Sequence, residues 1–247
     1  MDNRNEQLRS EALRILKASE EAGIPVRLLG GMAVYTVSPC TSAEPFARTI
    51  NDLDFVVSRK KSYPFGKLLE TIGFEGDHEF NSIHGESRML FRSDLLEIDV
   101  FVGIFEQCHQ MNLEKRIPET KQIIPLADLL LTKLQIVQIN QKDILDTLAL
   151  LHDHEVAEGG DPEQVISLNA LCEVLGGDWG WYTTVTDNLA KISGFIRESF
   201  QGTEQQNLLD KTAKIAAAAE GCPKSLKWKL RSKVGRKVTW YNLPEEK

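Results

Sequence analysis

The sequence has few cysteines, no long hydrophobic run and no excess of positive charge, and each absence excludes a class of protein. The four cysteines, at positions 40, 108, 172 and 222 of 247, show no close pairing. We therefore predict reduced thiols rather than a zinc site or a disulfide framework. No apolar stretch is long enough to cross a membrane, and the polar first residues predict no secretory signal. These features predict a cytoplasmic protein without a membrane partner.

Charge is distributed unevenly along the chain. The formal net charge of −7 argues against general affinity for nucleic acids. Residues 223–247, however, carry eight Lys or Arg and two Glu, a net charge of +6, which leaves −13 for residues 1–222. Because Trp228, Trp240 and Tyr241 lie among these basic residues, the segment could bind a nucleic-acid backbone and stack its bases. The favoured interpretation is a solvated terminal helix whose aromatic side chains pack on the rest of the protein.

Hydrophobic periodicity predicts an α+β protein whose helices concentrate in the second half. Strands are predicted at 26–29, 52–57, 88–92 and 95–102, with an edge strand at 116–124. Helices are predicted at 5–22, 32–38, 62–72, 126–139, 142–152, 162–175, 179–200 and 203–220. The polar residues 77–81 and 84–86 predict a hairpin or loop. The only domain boundary that this pattern indicates lies near Pro125.

Three aspartates stand inside apolar stretches that are typical of buried strands. Asp52 and Asp54 begin Asp-Leu-Asp-Phe-Val-Val, and Asp99 lies within Leu-Glu-Ile-Asp-Val-Phe-Val. A buried carboxylate is costly unless it pairs with a cation, and alternate strand residues point to the same face. Asp52, Asp54 and a carboxylate from a neighbouring strand would form an all-oxygen site. Such a site suits hard divalent cations, which phosphoryl and nucleotidyl transfer require.

A glycine pair connects a predicted strand to a predicted helix. Gly30 and Gly31 would let the backbone approach a ligand closely and leave the first N–H groups of the helix available to an anion. An isolated Gly-Gly is usually a plain turn. Beside an Asp-x-Asp strand, the pair instead favours a phosphate cradle next to a metal site.

These residues also carry a resemblance to a known family. Segments 30–34, Gly-Gly-Met-Ala-Val, and 48–55, Arg-Thr-Ile-Asn-Asp-Leu-Asp-Phe, resemble the signature of the nucleotidyltransferase superfamily. The sequence is most similar to the AbiEii-like, toxin-type branch and to minimal bacterial nucleotidyltransferases. Segments 128–134 and 142–146 resemble the helical part of that branch, and the resemblance covers about residues 24–151.

The resemblance implies an architecture and a set of roles. It implies a nucleotidyltransferase-type mixed β-sheet core with flanking helices at 1–125, a helical domain at 126–222, and an active site in the groove between them. Residues 223–247 would form a separate basic and aromatic segment. Asp52 and Asp54 would hold Mg²⁺ or Mn²⁺, and Asp99 would share the metal and activate the acceptor. The nucleotide would be bound by Gly30, Gly31, Arg48, Thr49, Lys133 and Asp146.

The helical residues of this set have simpler interpretations. Lys133 lies on an apolar helix stripe, so it either extends its amine to the surface or contacts nucleotide phosphates in a cleft. Asp146 falls on the polar face of the next helix, where it would pair with Lys142 in solvent. By the resemblance it would instead orient Lys133 or bind the base or acceptor.

We predict an enzyme that transfers a nucleoside monophosphate from an NTP to a hydroxyl group and releases pyrophosphate. The acceptor is open: RNA or tRNA bound through residues 224–237, a small molecule, or a protein. One alternative is a non-catalytic nucleotide-binding or regulatory protein on the same fold. Another is a toxin of a toxin–antitoxin pair that acts on tRNA.

Overall fold

The computed structural model describes residues 2–243, with side chains from Arg4 onward. The chain divides into two compact units. The first extends to Glu106 and includes Gln110–Pro125, and the second comprises Gln107–His109 and the chain from Leu126 onward. Among the described residues, no helix is both long and apolar enough to cross a membrane.

The first unit combines helices with a mixed sheet. Its helices are α1 (Asp2–Glu21), α2 (Gly30–Val37), α3 (Ser62–Thr71) and α4 (His78–His84). Its strands are β1 (Val26–Leu29), β2 (Asp52–Val57), β3 (Glu75–Gly76), β4 (Arg88–Arg92), β5 (Glu97–Val102), β6 (Ile104–Glu106) and β7 (Gln110–Asn112). Short 3-10 turns occupy Pro39–Ser42, Arg59–Lys61 and Ile117–Glu119.

Five strands form the main sheet in the order β1-β2-β5-β4-β3. β2 and β5 run parallel, and the other neighbours are antiparallel. One face of the two central strands is apolar and fully buried, including Leu53, Phe55 and Ile98. Phe55 packs edge-on against Phe65 of α3, with ring centroids 6.1 Å apart. The α+β class is as predicted, and alternation sends the charged residues of β2 and β5 to the opposite face.

The predicted loop at 77–81 and 84–86 is wrong, because most of it forms α4. Asp77 caps this helix by accepting a hydrogen bond from the Phe80 backbone at 2.9 Å. Asn81 also exchanges two hydrogen bonds with the Leu90 backbone, which attaches α4 to the edge of β4. The predicted edge strand at 116–124 is also wrong: the segment holds a 3-10 turn and a single bridge from Ile123 to Leu28.

The second unit is mainly helical. Its helices are α5 (Leu126–Leu134), α6 (Gln141–Asp153), α7 (Leu168–Gly177), α8 (Trp179–Ser199), α9 (Gly202–Gly221) and α10 (Leu226–Val234), followed by a 3-10 turn at Gly235–Lys237. A small parallel pair is formed by β8 (Glu155–Ala157) and β9 (Val165–Ser167). The helix predicted at 162–175 therefore begins only at Leu168, where Ser167 caps it by accepting from the Ala170 backbone at 3.3 Å.

Two further predictions fail for reasons of tertiary structure. α5 ends at Leu134 rather than at 139, because the side chain of Asn188 donates to the carbonyls of Leu134 and Ile136, each at 2.8 Å. Cys172 and Cys222 form a disulfide, with sulfur atoms 2.08 Å apart, so they are not reduced thiols. The two cysteines are 50 residues apart in sequence, and only the packing of α7 against α9 brings them together.

The C-terminal aromatic residues pack on the second unit, as the favoured interpretation of this segment predicts. Trp228 packs edge-on against Tyr182, with centroids 5.3 Å apart, and Trp240 packs against Trp179 at 5.8 Å. Trp240 also donates from Nε1 to the Thr184 hydroxyl at 3.1 Å. These two tryptophan rings are engaged within the protein, which weakens a stacking role for them.

Candidate active site

Four carboxylates lie side by side on one face of the sheet. In the parallel register of β2 and β5, Asp54 is opposite Asp99 and Asp52 is opposite Glu97. Asp99 is buried, Asp54 is half-buried, and Asp52 and Glu97 are exposed at the strand ends. The predicted aspartates are therefore brought together, and Glu97, which sequence reasoning missed, joins them. Carboxylate oxygens in this arrangement are donors that Mg²⁺ or Mn²⁺ prefers.

The glycine turn fits directly against this cluster. Gly30 has φ of +70°, a conformation that favours glycine, and a Cβ atom there would collide with Oδ2 of Asp54. The turn therefore brings the first residues of α2 against a carboxylate of the Asp-x-Asp strand. This contact joins the two halves of the sequence motif into one site.

Arg48 lies against the second glycine. A Cβ atom on Gly31 would collide with Nη2 of the Arg48 guanidinium. The backbone of Arg48 is held by Asn5 of α1, which donates from Nδ2 to the Arg48 carbonyl at 2.8 Å and accepts from the Ile50 backbone at 3.1 Å. Thr49 is exposed, and its carbonyl accepts from Nη1 of Arg48 at 3.3 Å. Asn5, which sequence reasoning missed, therefore orders the segment that leads into β2.

Arg88, at the start of β4, is the main residue that sequence reasoning missed. Its Nε donates to Oδ1 of Asp99 at 2.6 Å, and its Nη2 donates to Oδ2 of the same carboxylate. The guanidinium lies 5.4 Å from the ring centroid of Phe101 and 6.0 Å from that of Phe80. A bidentate arginine–carboxylate pair is among the strongest side-chain hydrogen-bonding arrangements.

Asp54 also interacts electrostatically with the Arg88 guanidinium. The hydrogen bonds with Asp99 raise the pKa of Arg88, burial opposes this, and the negative charges of Asp99 and Asp54 raise the pKa further. Arg88 therefore keeps its positive charge beside the acidic face. An arginine at the start of a predicted strand was the only sequence signal for it, and the strand register was needed to find its partner.

Lys133 and Asp146 are brought together in the second unit. Their Nζ and Oδ2 atoms are 2.9 Å apart, and both residues are buried, with 9% and 3% exposure. Asp143 lies near the same amine, with Oδ1 4.0 Å from Nζ. The interpretation of Asp146 as part of a solvated face is wrong, and so is the interpretation of Lys133 as a lysine that reaches solvent. The alternative that Asp146 orients Lys133 agrees with this geometry.

A mixed sheet with an Asp-x-Asp strand beside a glycine turn defines a nucleotidyltransferase-like fold. A family model described as an uncharacterised nucleotidyltransferase matches residues 1–150. The chain belongs to this family within the nucleotidyltransferase superfamily. The match does not confirm the AbiEii-like branch.

Two solved structures are similar to this chain. One is the solution structure of the antibiotic-resistance factor ANT(2'')-Ia, at 13% identity and a TM-score of 0.42, covering 61% of this chain and 84% of that one. The other is the crystal structure of an antigenic nucleotidyltransferase-like protein from Paracoccidioides brasiliensis, at 17% identity and a TM-score of 0.41, covering 89% and 95%. No curated protein matches the chain.

Proposed function

We propose that the protein is a divalent-metal-dependent nucleotidyltransferase, which moves a nucleoside monophosphate from an NTP to a hydroxyl acceptor. The observation that carries this proposal is the contact of the Gly30 turn with Asp54, together with the side-by-side register of Asp54 and Asp99. A phosphate cradle and an oxygen-rich metal site are complementary requirements of this reaction.

The three aspartates would have different roles in the reaction. Asp52 and Asp54 would hold the cation, and Asp99 would share it and accept the proton of the attacking hydroxyl. When bound, Mg²⁺ or Mn²⁺ would offset the charge that develops on the transferred phosphoryl group. The all-oxygen donor set and the three aspartates on one sheet face support this assignment.

The remaining residues would bind the nucleotide. Backbone N–H groups at Gly30 and Gly31, at the start of α2, would face the triphosphate, with Arg48 and Thr49 beside them. Lys133, oriented by Asp146, would add a positive charge for the phosphates. In this proposal residues 1–125 form the catalytic core, residues 126–222 a helical domain, and residues 223–247 a basic segment.

The acceptor is the least constrained part of the proposal. RNA or tRNA, the substrate of a toxin-type enzyme, would depend on basic side chains of residues 224–237, since Trp228 and Trp240 pack within the second unit. The negative charge of residues 1–222 makes a small molecule or a protein the better acceptor. The non-catalytic alternative is disfavoured because Asp52, Asp54 and Asp99 are all present, and a protein that had lost transfer activity would lose such costly neighbouring charges first.

Labelled NTPs with Mg²⁺ and separate pools of RNA, cell protein and small molecules would test the proposal. Label should pass to one pool, and Asp54→Asn should reduce transfer by at least about 100-fold, since several kcal/mol of charge stabilisation would be lost. Asp94→Asn, in an exposed turn between β4 and β5, is the matched control and should retain activity. NTP binding without transfer to any pool would favour the non-catalytic alternative.

A further inference from the structure

Arg88 is already hydrogen-bonded to the carboxylate of Asp99, which the proposed reaction requires. Both oxygens of Asp99 accept hydrogen bonds from the guanidinium. A divalent cation that used an Asp99 oxygen would share that oxygen with the guanidinium or displace one of these bonds, and in either case the arginine charge would repel it. The charge of Arg88 also acts on Asp54, the other central carboxylate.

The position of Arg88 permits its release. Its side chain is 33% exposed, whereas that of Asp99 is 9% exposed, so the guanidinium lies at the open side of the pair. Phe80 and Phe101 flank it at 6.0 Å and 5.4 Å, and aromatic faces are favourable surfaces for an arginine that has left a carboxylate. An NTP would bring phosphate oxygens, which are equally good partners for an arginine fork.

We propose that Arg88 is a positioning residue that holds Asp99 in place of a divalent cation, so that the free protein binds the cation weakly and admits it together with NTP. This inference rests on the proposed function, because it assigns the same carboxylates to the metal. It adds a binding order: the ion arrives as its nucleotide complex, whose negative charge compensates for the arginine.

Mn²⁺ binding to the full-length protein without nucleotide, measured by calorimetry, tests the inference independently of activity. Arg88→Gln should bind Mn²⁺ about tenfold more tightly than wild type, which corresponds to the loss of about 1.4 kcal/mol of competition. Arg88→Lys keeps the charge but cannot form the bidentate pair, and its affinity should lie between the two. With a non-hydrolysable NTP analogue present, wild type and Arg88→Gln should differ by less than about threefold.

Arg92→Gln is the matched control. Arg92 lies four residues further along β4, on the same face and opposite Glu97, and its Nε is 3.8 Å from a carboxylate oxygen of Glu75. The Arg92→Gln substitution removes one positive charge from the same strand but leaves Asp99 and its arginine pair intact. We therefore expect Mn²⁺ affinity to change by less than about twofold. An increase in Arg92→Gln equal to that in Arg88→Gln would reduce the effect to general electrostatics and overturn the inference.

The other outcomes separate this inference from the proposed function. If Asp54→Asn abolishes Mn²⁺ binding but Arg88→Gln binds no better than wild type, the metal site stands and the role of Arg88 is wrong. If neither wild type nor Arg88→Gln shows binding that depends on Asp54, the proposed metal site itself is wrong. If Arg88→Gln fails to fold, Arg88→Lys decides alone, and unchanged affinity in that variant overturns the inference.

Discussion

Each of the two units holds a buried aspartate paired with a cation, yet the two pairs differ in access to solvent. In the first unit Arg88 leaves a third of its side chain exposed, at 33%, while it holds Asp99. In the second unit the side chain of Lys133 is only 11% exposed, and that of its partner Asp146 is 4% exposed. The arginine pair lies at the open side of a sheet face, and the lysine pair is enclosed.

The surroundings of each pair explain this difference. Every residue of α5, the helix that carries Lys133, is buried, so the lysine amine must find its partner inside the protein. Arg88 begins a strand whose opposite end, Arg92, is exposed. An enclosed charge pair is expensive to break because water cannot replace the lost partner, whereas an open pair can exchange partners. We therefore expect a large loss of stability when the lysine pair is broken and a smaller one when the arginine pair is broken.

Removal of the lysine should produce the largest effect. Lys133→Met leaves the buried Asp146 carboxylate without its closest cation and should lower the free energy of unfolding by about 3–5 kcal/mol. Arg88→Gln, which leaves Asp99 beside an open face, should cost about 1–2 kcal/mol. Urea unfolding followed by far-UV circular dichroism measures both. All four tryptophans lie in the second unit, so tryptophan fluorescence reports the Lys133 variant separately.

The double variant Lys133→Met, Asp146→Leu is the control for this prediction. It removes both charges and should recover most of the lost stability. A Lys133→Met protein that is as stable as wild type would contradict this prediction, whether or not it binds NTP more weakly.

A second enclosed polar group should make the second unit sensitive to acid. His109 is buried, its Nε2 lies 2.9 Å from the Thr184 hydroxyl, and burial lowers its pKa to about 4 from the ordinary 6.5, with Asp178 opposing the shift. The folded state then resists protonation, so its stability contribution is complete above about pH 6.5 and is lost as the pH falls towards 4. The loss should reach about 3 kcal/mol.

Tryptophan fluorescence in urea between pH 7 and pH 4 checks this expectation. His109→Gln should flatten the pH dependence of stability, whereas His78→Gln, at an exposed position on α4, should leave it unchanged. An equally steep profile in His109→Gln would assign the acid sensitivity to other groups.

The smallest expected loss of stability concerns the glycine turn at Gly30, which lies against Asp54 of the acidic face. Gly30→Ala combines a positive φ with a collision at Asp54, and should cost about 1–2 kcal/mol more than Gly23→Ala. Gly23 has a similar φ of +67° but no heavy atom within 4 Å of an added Cβ, so its variant should show only the backbone cost of about 1–2 kcal/mol. Urea midpoints by circular dichroism measure the difference, and equal costs would mean that Asp54 does not press on the turn.

Local pattern was enough to predict the central strands and the acidic cluster. The strands at 26–29, 52–57 and 88–92 agree with the structure at both ends, because each is a short apolar stretch bounded by polar or turn residues. Alternation alone placed Asp52 and Asp54 on one face. The glycine pair could be assigned to a strand-to-helix turn because glycine is the residue that tolerates a positive φ there.

Long-range pairing decided the rest. Arg88 meets Asp99 only because β4 and β5 pair in one particular antiparallel register, and a shift of one residue would turn the arginine to the other face. Asn5 reaches Arg48 across 43 residues, Asn188 ends α5 across 54, and Cys172 meets Cys222 across 50. Each of these contacts joins residues that no local periodicity relates, so the sequence could indicate which side chains carry charge, and only the packed structure decided which charge each one meets.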